Sequence, residues 1–260
     1  MTAEQNVEGA SPTTAAPIPR KILVATTLPA MAMGDPDAWS SWLKHADRQR
    51  LMAAEAGYGF EHFAAIQTDG RGLVPFHPLL ARLRELVGDW WTYSLDDGRE
   101  RITMTNRWRH ITFGQNLAVE RAQADPEVEW LLFLAADCAA PSDIVPRMLE
   151  IGHPLCGPYI STYGLRGPAV THRPDGTPYD FPLEDAMASA AALWVHRSVF
   201  RRIRFRWDLD DAMSDDPCFH ADARDLLGVP TLVRMDVLAR HYPEAVGDYE
   251  SRGYDTAVVR

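Results

Sequence analysis

Apolar and polar positions alternate in blocks along this chain, and the length of each block separates strands from helices. Lys21-Ile-Leu-Val-Ala-Thr26 is a short continuous apolar run closed by Pro29, which predicts a buried strand. Trp42 to Ala56 repeats apolar residues at helical spacing and stops at Gly57, a residue suited to ending a helix. Phe60 to Ile66 predicts a second strand, ending at Asp69-Gly70. Pro78 to Val87 carries Leu79, Leu80, Leu83 and Leu86 at helical spacing, and Trp90 to Leu95 predicts a third strand. Ile111 to Ala124 reads as a helix, and Glu129 to Ala135 as a fourth strand, the most hydrophobic of all. Ser142-Asp143 then offers capping side chains to a helix that runs to Glu150.

The second half is less regular. Residues 152–185 are rich in Gly, Pro and Tyr without a clear period, which predicts a functional loop region over the sheet edge. Met187 to Val195 predicts a strand, Ser198 to Arg202 a short basic helix, and Pro217 to Leu227 a helix stopped by Gly228. Pro230 to Leu238 predicts a last strand whose end reaches His241. Residues 1–20 hold almost no large apolar residue and are expected to be disordered, and 243–260 form a polar tail. The 21–242 region is thus expected to be one α/β domain with a mainly parallel central sheet flanked by helices, because continuous apolar strands alternate with helices. Such sheets bind ligands beyond the carboxyl ends of their strands. Asp69, Asp96 and Asp137 each follow a predicted strand and are candidates for that crevice, although Asp is also a common turn residue.

Composition narrows the function. At 260 residues and 46% hydrophobic, the chain can bury one sizeable core. No apolar run approaches the roughly 18–20 residues of a membrane span, and no apolar segment of a secretory signal follows Met1, so a cytoplasmic location is expected. Cys138, Cys156 and Cys218 are an odd number at wide spacing, which predicts reduced thiols. A net charge of −10 argues against generic nucleic-acid binding. Arginines nevertheless cluster at Arg99, Arg101, Arg107 and Arg109, and at Arg201, Arg202, Arg204 and Arg206. Each cluster is either solvated surface or a local anion site.

Two segments concentrate the chemistry. Trp130-Leu-Leu-Phe-Leu-Ala-Ala-Asp137 delivers one carboxylate at the tip of a buried strand, ahead of a turn containing Pro141. An oxygen ligand in that position suits Mn²⁺ or Mg²⁺, which keeps room for phosphates and water. Ser214-Asp215-Asp216-Pro217 opens a helix, after which Gly228 leads into the strand ending at His241. Paired Asp at a helix start is also what capping and the helix dipole favour.

Taken in this order, the segments resemble the GT-A glycosyltransferases, in particular the large inverting family of bacterial enzymes, over about Lys21 to His241. The resemblance implies a nucleotide-sugar donor, UDP- or GDP-linked, a divalent metal, and a hydroxyl acceptor, with a small molecule favoured. Asp137 fits the metal-binding acidic position of that family, while Ala135 replaces its first acidic residue. His241 matches the family's metal-binding His, and Asp216 its catalytic base, with Asp215 as the neighbour able to serve instead. Gly114-Gln115-Asn116-Leu117-Ala118 resembles an Ala-Arg-Asn-x-Ala segment, with Gln115 where Arg is common and Asn116 assigned either to local backbone support or to donor. Thr26, Thr27 and Asp69 match positions bordering base and ribose, and Ala136 adjoins the metal carboxylate. Trp194 is expected in the core, and Tyr159, Tyr163 and Tyr179 are candidate sugar platforms. Retaining transfer, donor binding without transfer, and sugar-nucleotidyl transfer stay open as alternatives. The last lacks a basic Gly-rich loop after the first strand, where Thr26 to Gly34 holds no Lys or Arg.

Overall fold

The computed structural model describes residues 20–28, 48–67, 89–93, 104–135, 138–161, 190–207 and 215–241. Its strands are β1 (Lys21–Leu28), β2 (Gly59–Gln67), β3 (Asp89–Tyr93), β4 (Val128–Leu134), β5 (Cys138–Ala139), β6 (Leu155–Ser161), β7 (Ala192–His196) and β8 (Leu232–His241). The described helices are α1 (48–55), α2 (Met104–Ala124), α3 (Ile144–Ile151), α4 (Arg197–Phe200) and α5 (Asp215–Leu227). All eight strands form one sheet in the order β3-β2-β1-β4-β7-β6-β8-β5. β1, β2, β3 and β4 pair in parallel, β7 runs antiparallel to both β4 and β6, and β8 is parallel to β6. β1, β2, β3, β4, β6 and β8 therefore all point one way, and their carboxyl ends share one sheet margin.

The alternation of side chains along each strand builds two cores. On β1, Ile22 and Val24 join Trp130, Leu132 and Trp194 on one face, covered by Ile144, Val145 and Met148 of α3. Leu23 and Ala25 join Phe63, Leu131 and Phe133 on the other, covered by α2, α4 and α5. A strand buried on both faces must be apolar, which is why β4 reads as an unbroken hydrophobic run from Trp130 to Leu134, with Glu129 only half-buried near its start. Trp194 is fully buried and stacks on Trp130 at 5.2 Å between ring centroids, in the core as its sequence context predicts.

Most boundaries fall within a few residues of those expected. Gly57 and Gly228 both adopt left-handed backbone, φ 80° and 67°, at the helix ends they were expected to close. Three differences have physical causes. β6 lies in the region read as loop, because Gly157 and Pro158 break the strand signal; a register shift of its pairing with β8 falls between Pro158 and Tyr159. α2 begins at Met104, seven residues before the expected start at Ile111, where the apolar pattern first becomes regular. Asp143 stands at the N-cap of α3 but makes no capping bond; Arg147 Nε holds its carboxylate at 2.8 Å instead. The expected Pro78–Val87 helix lies outside the described residues.

At the amino ends of the strands, Lys21 Nζ lies 2.7 Å from Asp125 Oδ2 and 3.2 Å from Glu61 Oε2, and Arg121 pairs with Glu61. The hydrogen bond to Asp125 raises the Lys21 pKa against the opposing effect of burial. For Asp125, burial acts upward, but the bonds from Lys21 and the Glu127 N–H, with the nearby cationic charges, hold it below its ordinary value. A depressed carboxylate contributes stability that is complete above its unfolded pKa, about 3.9, and is lost as pH falls through the lower folded value. A raised lysine contributes stability that is complete below roughly 10.4 and is lost as pH rises through the higher folded value. Lys21→Met is therefore expected to remove about 1 kcal/mol near neutral pH. It should also flatten the decline of Tm below about pH 4, which thermal denaturation across pH would measure; an unchanged acid limb would refute it.

Candidate functional site

The margin at the carboxyl ends of the strands gathers most of the described residues that the sequence singles out. Thr26 and Thr27 lie near the end of β1. Thr26 is buried, and its Oγ1 donates to the carbonyl of Leu134 at 2.9 Å, tying the ends of β1 and β4 together. That hydroxyl is thus committed within the protein, while Thr27 is half-buried and pairs with Ala65 of β2. Beyond β4, Ala135 N donates to Ala191 O, and Cys138 N donates back to Ala135 O at 3.0 Å. Ala136 and Asp137 fall between those two residues and, like Asp69, lie outside the described set.

β8 closes the other side of this margin. The antiparallel pairing of β5 with β8 sets Cys138 opposite His241, and Ala139 opposite Arg240. His241, 100 residues and more from the β4 tip in sequence, is thereby the cross-strand neighbour of the residue that follows Asp137. Among the described residues no three His, Cys, Asp or Glu side chains gather as a metal-binding group.

α5 points its first turn at the same margin through contacts the sequence did not reveal. Asp215 is 7% exposed, and its Oδ2 accepts from Gln115 Nε2 of α2 at 2.7 Å. Asp216, next in the chain, is half-buried. Asn116, beside Gln115, turns to the main chain of Phe205: its Nδ2 donates to Phe205 O and its Oδ1 accepts from Phe205 N, each at 2.9 Å. Its carboxamide supports backbone, the first of the two roles the sequence offered. Phe205 in turn stacks on Phe219 of α5 at 4.2 Å and meets Phe133 of β4 edge-on at 5.1 Å. Farther along α5, His220 Nδ1 lies 2.7 Å from Thr231 Oγ1, just ahead of β8. So α2 grips α5 twice, directly through Gln115 and indirectly through Asn116 and the Phe205–Phe219 stack, and α5 braces the strand that ends at His241. The only sequence signal for this was the Gln115-Asn116 pair, whose partners lie 100 and 89 residues away.

The remaining candidates divide. Of the second arginine cluster, Arg204 is held by Gln123 Oε1 and Phe200 O, and Arg206 makes two 2.9 Å bonds to Asp222. Those two guanidinium groups are engaged within the protein, whereas Arg201 and Arg202 are exposed. The three cysteines are separate buried thiols, and burial pushes Cys156 up to about 12, so it stays protonated and unreactive at neutral pH. Tyr163 and Tyr179 lie outside the described residues. No helix among the described residues is long and apolar enough to cross a membrane.

No protein-family model matches the chain. No curated protein matches it in sequence. Among solved structures, the chain is similar to the STIV protein A197, with 13% identity, a TM-score of 0.43 and 86% of each chain covered. It is also similar to a glycosyltransferase involved in the glycosylation of the major capsid of PBCV-1, with 10% identity, a TM-score of 0.38, and 92% of this chain and 96% of that one covered.

Proposed function

We propose that this protein transfers a sugar from a nucleotide-sugar donor to a hydroxyl acceptor, with inversion. The observation that carries the reading is the pairing of Cys138 with His241, which brings the end of β8 to the residue after Asp137 at the carboxyl margin of the sheet. Two segments that the sequence marks for metal chemistry, far apart in the chain, are joined there by backbone register. Asp137 and His241 would hold a divalent cation, Mn²⁺ or Mg²⁺, and when bound it would supply charge neutralisation to the departing diphosphate.

The chain's own residues supply the rest. Thr27, Asp69 and Ala136 would serve the donor, the first two at base and ribose, and Asp216 takes the proton of the acceptor hydroxyl as the new bond forms. Asp215 suits that task less, because it is buried and already accepts from Gln115. A UDP- or GDP-linked donor and a small-molecule acceptor fit this reading.

A thermal-shift screen of nucleoside diphosphates and nucleotide sugars, with and without Mn²⁺, tests it. A ligand at about 100 times its Kd adds roughly 2.7 kcal/mol of stability, a rise of several degrees for a chain of this size. A metal-dependent shift with one nucleotide supports the reading. The same shift with no release of nucleoside diphosphate would mean donor binding without transfer. No shift with any nucleotide would sink it.

A further inference from the structure

Thr112 and Gln115 lie one turn apart on α2 and are 1% and 4% exposed. Gln115 Nε2 donates to Asp215, but Gln115 Oε1 and the Thr112 hydroxyl are buried with no hydrogen-bond partner among the described residues. Rotating the amide by half a turn would set Oε1 against the Asp215 carboxylate, acceptor against acceptor, so Asp215 itself fixes the orientation that leaves Oε1 bare. A buried acceptor without a partner destabilises a fold. Methionine, of similar length and equal helix propensity, would remove that bare acceptor but would also take from the buried Asp215 carboxylate its Gln115 donor. Gln115 thus satisfies Asp215 while leaving its own acceptor bare, and such local conflicts are expected where a side chain serves a site.

What Gln115 does provide is a hold on the first turn of α5. Successive helical residues are about 100° apart around the axis, so anchoring Asp215 against α2 sets the direction in which Asp216 projects. We propose that Gln115 is a positioning residue that locks Asp215 inward and thereby presents Asp216 to the acceptor hydroxyl, an assignment that rests on the transfer reaction proposed above.

The test uses the full chain and three variants, Gln115→Met, Asp215→Leu and Asp215→Asn. Donor turnover is followed as nucleoside diphosphate release from UDP- and GDP-linked sugars with Mn²⁺, and stability as Tm. Gln115→Met is expected to melt a few degrees below the parent, because the buried Asp215 carboxylate loses a donor, and turnover is therefore read well below that Tm. Its kcat should fall roughly 10-fold or more with donor KM little changed. Asp215→Leu should show the same loss, and Asp215→Asn, which keeps an acceptor for Gln115 Nε2, should recover most of it. Parental kcat in Gln115→Met overturns the proposal. So does a kcat loss matched by an equal loss of donor affinity, which would mark Gln115 as structural. A parent chain that turns over no donor removes the transfer reading, and this assignment with it; parental turnover with an indifferent Gln115 removes this assignment alone.

Discussion

Asp216→Asn is expected to lower transfer by about 10²–10⁴-fold, the usual contribution of a general base, while metal-dependent nucleotide binding persists. Asparagine keeps the size and polarity of the side chain but cannot accept a proton at neutral pH. The acceptor hydroxyl would then attack without losing its proton in time. The loss should appear in kcat, because Asp216 acts only as charge develops in the transition state. Binding is the control that separates this from misfolding: Asp216 is half-buried in the first turn of α5 and no part of either core cluster. Steady-state turnover with the donor named by the thermal-shift screen, alongside the Tm shift of that donor, checks both halves. Full turnover in Asp216→Asn would refute Asp216 as the base, and full turnover in Asp215→Asn as well would refute the inverting assignment.

The largest effect on stability is expected from Phe219→Ala. Phe219 is fully buried, and its ring lies against Phe205 at 4.2 Å with the planes only 16° apart. Phe205 contacts Phe133 of the central strand β4, so Phe219 is the point at which α5 is stacked onto the sheet. Truncating a buried Phe to Ala costs about 3–5 kcal/mol from lost transfer energy and the cavity left behind. That is a large share of the roughly 5–15 kcal/mol by which a domain is stable. Urea denaturation should show a lower midpoint with an unchanged slope. The same variant should also weaken turnover, because α5 carries Asp215 and Asp216 on its first turn, one helical turn before Phe219. A loss of unfolding free energy under about 1 kcal/mol would show that the stack contributes little.

The two substitutions probe different links between fold and chemistry. Asp216→Asn leaves the scaffold and changes the reacting group. Phe219→Ala leaves the carboxylates and loosens what holds them. Gln115→Met lies between, releasing the hold on Asp215 and leaving its buried carboxylate without that donor.

The fold class and most elements were legible in the amino-acid pattern, because local periodicity reports how a segment is buried. A strand stretch covered on both faces must be apolar, and Ile22 to Ala25 of β1 and Trp130 to Leu134 of β4 are. A helix that ends in left-handed backbone calls for Gly, and Gly57 and Gly228 stand there. The candidate carboxylates were legible for a similar reason, since Asp at the tip of a buried strand or before a helix is a local feature. Their grouping was not. The pairing of Cys138 with His241, the bond from Gln115 to Asp215 and the stack of Phe205 on Phe219 join residues that have no periodic relation to one another. β6 escaped the pattern because its membership of the sheet comes from hydrogen bonds to β7 and β8, which Gly157 and Pro158 tolerate but do not announce. Sequence alone determined which segments are buried and which residue types stand at their ends. Tertiary structure decided which of those ends meet, because strand register and helix packing are set by long-range contacts that no local window contains.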